Sequence, residues 1–167
     1  MEVVYEGERI CLCVFQDVHL EAVKEFWGNN EVMELCNGAS PHDVLIKVMN
    51  GYRKCHEANG LSVYAVKDKE ANEIIGAAGF NITKSLQTIE LIYHFRKKSW
   101  GKGFATEAAK ACLDLAKANG EVQVITASAH LQNKGSLKIL EKIGFTYKGM
   151  KWFDDTEQEE PFYEYIF

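Results

Sequence analysis

Between Ile89 and Thr106 the chain reads IELIYHFRKKSWGKGFAT. A strand-like run ends at Phe95, a basic turn follows, and Gly101 and Gly103 then stand at the start of a helix predicted over Phe104 to Asn119. Few folds have a use for that order. A helix begins with backbone N–H groups that lack an intrahelical partner and with the positive end of its dipole. Glycines let a ligand approach the backbone closely, and together these features make a cradle for phosphate. Arg96, Lys97, Lys98 and Lys102 add positive charge to the turn, although 19 Lys and Arg against 24 Asp and Glu leave the chain at −5. The pattern points to a phosphate-bearing ligand; the plain alternative is a tight turn with solvated lysines. Two nucleotide-binding patterns drop out. The dinucleotide fingerprint G-x-G-x-x-G/A meets Thr106 at its third position, and the acid expected about 20 residues on is Glu121, which starts its strand rather than ending it. The P-loop sequence GxxxxGK[ST] is absent.

The rest of the chain supplies a setting for this turn. A first strand is predicted over Arg9 to Phe15, then a helix from Asp17 to Trp27 stopped by Gly28, and a short helical turn at Glu31 to Leu35. Ser40-Pro41-His42-Asp43 opens another helix, with Ser40 as N-cap, and the apolar stripe Val44, Leu45, Val48, Met49 and Tyr52 carries it to about Glu57. Three strands follow, at Leu61 to Lys67, Glu73 to Ile82 and Thr88 to Phe95, and their short connections favour antiparallel pairing. After the Phe104 helix come a buried-looking strand from Val122 to Ser128, a helix from Ser136 to Ile143 closed by Gly144, and strands at Phe145 to Phe153 and Phe162 to Phe167. The expectation is an α+β fold: one mixed, mostly antiparallel sheet of seven strands flanked by helices, in a single domain over residues 1–167.

Composition narrows the function. With 47% hydrophobic and 26% charged residues the chain is globular rather than disordered. A net charge of −5 argues against a nucleic-acid backbone as partner. No apolar run of about 18 residues is present, so no membrane partner is expected. The acidic start, Met1 to Glu6, lacks the features of a secretory signal, and cytoplasmic location is the expectation. The five cysteines, 11, 13, 36, 55 and 112, are odd in number and form no CxxC, which suits reduced thiols filling core space. The five histidines show no metal-ligand spacing, so no metal is expected.

With its preceding strand and following helix, WGKGFATEA resembles the acetyl-CoA signature of the GNAT family of N-acetyltransferases. It is most similar to the ribosomal-protein alanine acetyltransferase (RimJ/RimL-like) branch, where W-G-K-G-x-A-T-E-A is typical. Asn133-Lys134-Gly135-Ser136 and the run from Leu137 to Gly144-Phe145 match that branch's N-x-x-S…E-K-x-G-F pattern. The resemblance covers nearly the whole chain. It implies a GNAT fold splayed between strands 4 and 5, that is, between Thr88 to Phe95 and Val122 to Ser128. It also implies acetyl-CoA as co-substrate. The pantetheine arm would lie along Tyr93, His94 and Phe95, where a backbone N–H polarises the thioester carbonyl. The pyrophosphate would sit on Gly101, Lys102, Gly103, Phe104, Ala105 and Thr106, with Lys98 adding charge. Asn133 would hydrogen-bond the pantetheine, or serve only as an N-cap.

The implied reaction is direct attack of a primary amine on the thioester, the acceptor being a protein N-terminus, a polyamine or another small cationic amine. An alkylamine of pKa about 10.4 must shed a proton first. Glu90 is the first candidate to accept it and His94 a weaker one. Many relatives protonate the departing thiolate with a tyrosine seven residues after the Asn, where Leu140 stands here. That leaves Ser136 as candidate donor, though it reads equally as an N-cap. Two further departures are Lys97 in place of a common Pro and Ile92 in place of a common Gly, the latter near the acceptor path. The acidic run Asp154 to Glu160 is expected as a loop near the acceptor mouth. A homodimer is common among such folds, though no residue demands one. The competing reading is a non-catalytic acyl-CoA-binding or sensing domain.

Overall fold

Period-two alternation divides the molecule along one strand. In the computed structural model, which describes residues 1–167, β5 (Thr88–Phe95) buries Ile89, Leu91 and Phe95 on one face and turns Glu90, Ile92 and His94 to the other. Seven further strands build the sheet around it: β1 (Val3–Glu6), β2 (Ile10–Cys13), β3 (Val63–Asp68), β4 (Glu73–Asn81), β6 (Val124–Ser128), β7 (Thr146–Phe153) and β8 (Gln158–Ile166). The helices are α1 (Leu20–Val23), α2 (Asn30–Met33), α3 (His42–Asn59), α4 (Phe104–Asn119) and α5 (Lys134–Lys142). On one face α4 and α5 pack Ala108, Cys112, Ala116 and Leu140 against Ile89, Leu91, Phe95 and Ile125. On the other, Val23, Phe26, Trp27, Met33, Leu45 and Met49 from the α1–α3 region cover Val63, Ala65 and Ala77.

The strand order is β1-β2-β3-β4-β5-β6-β8-β7, and every pairing is antiparallel except β5 with β6. That parallel pair is short: Thr88, Ile89 and Glu90 match Val124, Ile125 and Thr126. Beyond Glu90 the two strands part, while β5 stays paired to β4 as far as Phe95 opposite Gly76. The splay therefore falls between the strands expected from the sequence.

Eight strands stand where seven are expected. The addition is β1, an edge strand whose four residues are exposed at both ends and lack an alternating apolar pattern. The turn after it, with Gly7 N–H donating to the Ile10 carbonyl at 2.7 Å, folds it onto β2. The expected Asp17 to Trp27 helix is broken: a 3₁₀ turn at Asp17–His19 leads into α1, and irregular turns run on to Gly28. Ser40 does not cap α3; Pro41 is the flanking residue, and the Ser40 N–H donates to the Trp27 carbonyl at 2.8 Å. The acidic loop is also shorter than expected. β8 begins at Gln158, with Glu159 opposite Trp152 and Glu160 opposite Lys151, leaving only Asp154 to Glu157 as the turn. Carboxylates and Pro161 are poor strand formers, but the hairpin pairing overrides them.

The contact between β4 and β5 leaves no room for a side chain at Gly76. A Cβ there would lie 2.5 Å from the His94 carbonyl oxygen and 2.6 Å from the Phe95 ring. Gly76→Ala should therefore push β5 outward and cost about 1–3 kcal/mol of stability. Thermal denaturation checks this, and a variant that melts with the wild type contradicts the close fit.

Candidate active site

Where β5 and β6 part, a cleft of about 750 Å³ opens between Tyr93–Phe95, the turn before α4 and the start of α5. Tyr93, His94, Phe95, Gly101, Gly103, Phe104, Ala105, Thr106, Asn133 and Ser136 all lie on its wall. Of the other residues singled out from the sequence, Lys98 and Lys102 are exposed and Glu90 is half-buried, and none of the three lines the cleft.

The turn before α4 is built to leave backbone N–H groups free. Gly101 and Gly103 adopt left-handed backbone, φ +74° and +82°, which glycine reaches without steric cost. The Glu107 N–H is the first in α4 to find a backbone acceptor, the Gly103 carbonyl at 3.1 Å, so those of Phe104, Ala105 and Thr106 have none. Such a set fits a phosphate-bearing ligand. Arg9, from the approach to β2, holds the turn from behind. Its guanidinium donates to the Lys102 carbonyl (2.9 Å) and to Glu107 (2.8 Å) and lies 4.6 Å from the centre of the Phe104 ring. Nothing in the sequence ties Arg9 to a turn more than 90 residues away.

The positive charge is distributed differently from the expectation. Arg96 is committed to Glu73 (2.8 Å) and Glu25 (3.3 Å), and Lys97 pairs with Glu31. These two cations brace the α1–α2 region against the sheet. Lys98 and Lys102 remain exposed, and Lys134, in the first turn of α5, joins the cleft wall.

Four polar side chains line the cleft near the parting of the strands: His94, Tyr93, Asn133 and Ser136. The Trp27 Nε1–H donates to His94 Nδ1 at 3.1 Å, which leaves the proton of the neutral ring on Nε2. Burial pushes the His94 pKa down to about 4. His94 is thus a neutral N–H donor at physiological pH, and a poor base. Asn133 does cap α5, its side-chain oxygen accepting the Ser136 N–H at 3.2 Å, and its Nδ2 is left free. Ser136 Oγ donates to the Tyr93 hydroxyl oxygen at 2.9 Å, and the Tyr93 O–H donates to the Ser136 carbonyl at 3.0 Å. Burial pushes the Tyr93 pKa up to about 12, against the opposing pull of the Ser136 hydrogen bond. Leu140 is 1% exposed, deep in the core. The sequence suggests only a backbone role for Tyr93, yet its phenol reaches the cleft. The signal is the β5 alternation, which sets residue 93 on the α4–α5 face with Ile89 and Leu91.

Glu90 sits on the opposite face of β5. It accepts from Asn81 Nδ2 (3.1 Å), whose Oδ1 accepts from the Tyr52 hydroxyl (3.3 Å). Burial first, and then the Glu90 charge, push the Tyr52 pKa up to about 12. The far rim of the cleft is formed by Glu31, Val32, Glu34, Leu35 and Cys36. Burial, together with the charges of Glu160 and Asp155, pushes the Cys36 thiol up, which sets the β7–β8 turn beside this rim. The carboxylates of the Asp154 to Glu160 run, turn and early β8 together, do not form one solvated lip. Glu160 is 6% exposed and accepts from Gln158 (2.6 Å) and Thr156 (3.3 Å), while Asp154 accepts from Trp152 Nε1 (2.8 Å). No group of three or more His, Cys, Asp or Glu is placed to hold a metal ion, and no helix is long and apolar enough to cross a membrane.

Comparison with known proteins agrees with this geometry. A family profile described as an acetyltransferase (GNAT) domain matches residues 9–146. The uncharacterised N-acetyltransferase p20 of Bacillus licheniformis is 29% identical over 156 residues, covering 90% of this chain and 85% of its own. A GNAT-family acetyltransferase from Bacillus anthracis superposes with a TM-score of 0.84 at 24% identity, over 96% of each chain. RimL, a ribosomal alpha-N-protein acetyltransferase solved in complex with coenzyme A, superposes with a TM-score of 0.83 at 15% identity, over 99% of this chain and 98% of its own. At these identities the two superpositions show the fold alone.

The state of His94 has a consequence for stability. The unfolded chain takes up a proton there near the ordinary value of 6.5, whereas the folded chain does so only near 4. Between those values the unfolded state binds more protons, so stability falls as the pH falls, by on the order of 3 kcal/mol across the window. His94→Gln should lack this component. Melting temperatures from pH 8 to 4 should show the wild type losing ground to the variant below about pH 6.5. A difference that stays constant with pH contradicts the buried neutral imidazole.

Proposed function

The chain belongs to the GNAT acetyltransferase family, and on that premise we propose that it transfers the acetyl group of acetyl-CoA to a primary amine by direct attack on the thioester. The observation that carries this reading is the continuity of the cleft. Free N–H groups at the start of α4 form one end, and His94 and the Tyr93–Ser136 pair line the other. Gly101 to Thr106 hold the pyrophosphate through backbone amides, with Lys98 and Lys102 supplying long-range attraction from outside the cleft. The edge of β5 left open by β6 carries the backbone groups of Tyr93 and the Phe95 N–H and offers them to the pantetheine arm, while the His94 backbone faces β4 and the Phe95 carbonyl already accepts from Trp100 Nε1 at 2.8 Å; Asn133 Nδ2 adds a donor. A backbone N–H of this edge polarises the thioester carbonyl as negative charge develops on its oxygen.

The acceptor enters beside α2 and the β7–β8 turn. Glu34 and Asp155 favour a cationic amine there, whether a peptide N-terminus or a small amine. The name of RimL, a ribosomal alpha-N-protein acetyltransferase, supports the peptide. Glu90 takes the amine proton through water, along the β5 face it shares with His94. His94 Nε2–H positions the acceptor or acyl oxygen as a donor. The hydroxyl pair Tyr93–Ser136 returns a proton to the departing sulfur. Holding both reactants in one cleft supplies much of the acceleration.

The test is acetyl-CoA-dependent thiol release across a panel of peptide N-termini and small amines, paired with calorimetric CoA titration of wild type and Gly103→Glu. A side chain at Gly103 is strained at φ +82° and approaches Arg9 Nη2 at 3.2 Å, and the added carboxylate would repel phosphate. CoA affinity should fall at least about tenfold, or about 1.4 kcal/mol. Unchanged CoA affinity overturns the assignment of the turn, and CoA binding without thiol release on any amine overturns the transfer reaction.

A further inference from the structure

We infer that Tyr93, and not Ser136, is the acid that protonates the departing thiolate, and that Ser136 is a positioning residue that holds the Tyr93 oxygen. The inference rests on the acetyl-transfer reading and assigns roles within it. Two hydroxyls face the cleft 2.9 Å apart, and the direction of the hydrogen bond between them separates their functions. The Ser136 O–H is already given to Tyr93, so it is not directed at a ligand in the cleft. The Tyr93 O–H is given to the Ser136 carbonyl at 3.0 Å, and rotation about the phenolic C–O bond frees it. That rotation leaves the Ser136 O–H in place on the Tyr93 oxygen, where it stabilises the phenolate that proton loss creates.

Acidity points the same way. A phenol has an ordinary pKa of about 10, far below that of an alkyl hydroxyl, which does not ionise in the range proteins use. Burial pushes Tyr93 up to about 12 and the Ser136 hydrogen bond pulls it back down. Such a phenol stays protonated and neutral at pH 7, so its proton is in place before each turnover. Both partners are fixed by regular structure: Tyr93 by β5, and Ser136 by the first turn of α5, where its N–H is tied to Asn133.

The step balances. The amine nitrogen bonds to the acyl carbon, the carbon–sulfur bond breaks, and the sulfur leaves with its electron pair and takes the Tyr93 proton. The phenolate recovers a proton from solvent, and the proton shed by the amine passes to solvent through Glu90.

The test compares Tyr93→Phe, Ser136→Ala and Ser136→Thr for kcat, acetyl-CoA affinity and melting temperature. Tyr93→Phe should lower kcat by about 100-fold or more, the range for loss of a general acid, with CoA affinity unchanged. Ser136→Ala should cost less, and Ser136→Thr, which keeps a hydroxyl, should restore most of the rate. A fluorinated tyrosine at position 93, being more acidic, should bring a loss of kcat at high pH into the measurable range, and Ser136→Ala should move that limb to higher pH. A chain that turns over with the order reversed, Ser136→Ala crippled and Tyr93→Phe near wild type, overturns this inference and leaves the acetyl-transfer reading standing. A wild-type chain that releases no thiol on any amine overturns both.

Discussion

The site depends on a pairing that stops. β5 and β6 share three residue pairs and then separate, and a parallel pair that short leaves half of β5 with a free edge inside the protein. Unpaired backbone groups in a buried place are costly unless something else meets them. Here the free edge opens onto the cleft, flanked by the unpaired N–H groups that begin α4. The protein thus keeps two sets of unpaired backbone groups along one channel, with only the Phe95 carbonyl at the end of β5 already met, by Trp100 Nε1 at 2.8 Å. A long ligand with amides in its middle and phosphates at one end answers both. The rest of the architecture keeps β5 fixed while its far edge stays open. β4 holds its other side to the last residue, α4 and α5 press on one face, and α1 to α3 cover the other.

Charge in the site follows the same division. The basic turn reads as four cations in the sequence, but Arg96 and Lys97 are spent bracing the α1–α2 region. In the proposed CoA site, phosphate recognition therefore rests mainly on backbone dipoles, held in shape by Arg9, rather than on side-chain charge. At the other end of the cleft, the proposed reacting end, His94 and Tyr93 are neutral. Trp27 fixes the tautomer of His94, burial keeps that ring uncharged, and burial keeps Tyr93 protonated. In such a half-buried, neutral setting each hydrogen bond aimed at developing charge is stronger than in water.

Much of this was legible in the sequence, for physical reasons that can be named. α4 is predicted to the residue because an apolar stripe runs between two glycines, and both glycines adopt left-handed backbone in the structure. β5 follows from its alternation, and the cleft wall from the glycines and Asn133. What escaped is what pairing and long-range contact decide. β1 has too few residues to show a pattern and exists because β2 offers it an edge. β8 starts early because a hairpin partner outweighs the poor strand propensity of Glu159, Glu160 and Pro161. The phenol of Tyr93 has no signature of its own, because its partner Ser136 lies 43 residues away, although its position on the α5 face follows from period two. The ion pairs of Arg96 and Lys97 join segments far apart in the chain and have no local signature.

The central claim is that the channel from the start of α4 to the open edge of β5 is the CoA site. The most direct measurement is amide NMR of the full chain titrated with CoA. The account predicts large shift changes confined to Gly101 through Thr106, Tyr93 through Phe95 and the first turn of α5, with the β1 and β7 edges of the sheet undisturbed. Saturating CoA that leaves the Gly101 to Thr106 amides unmoved, or that perturbs a different face of the protein, would contradict it.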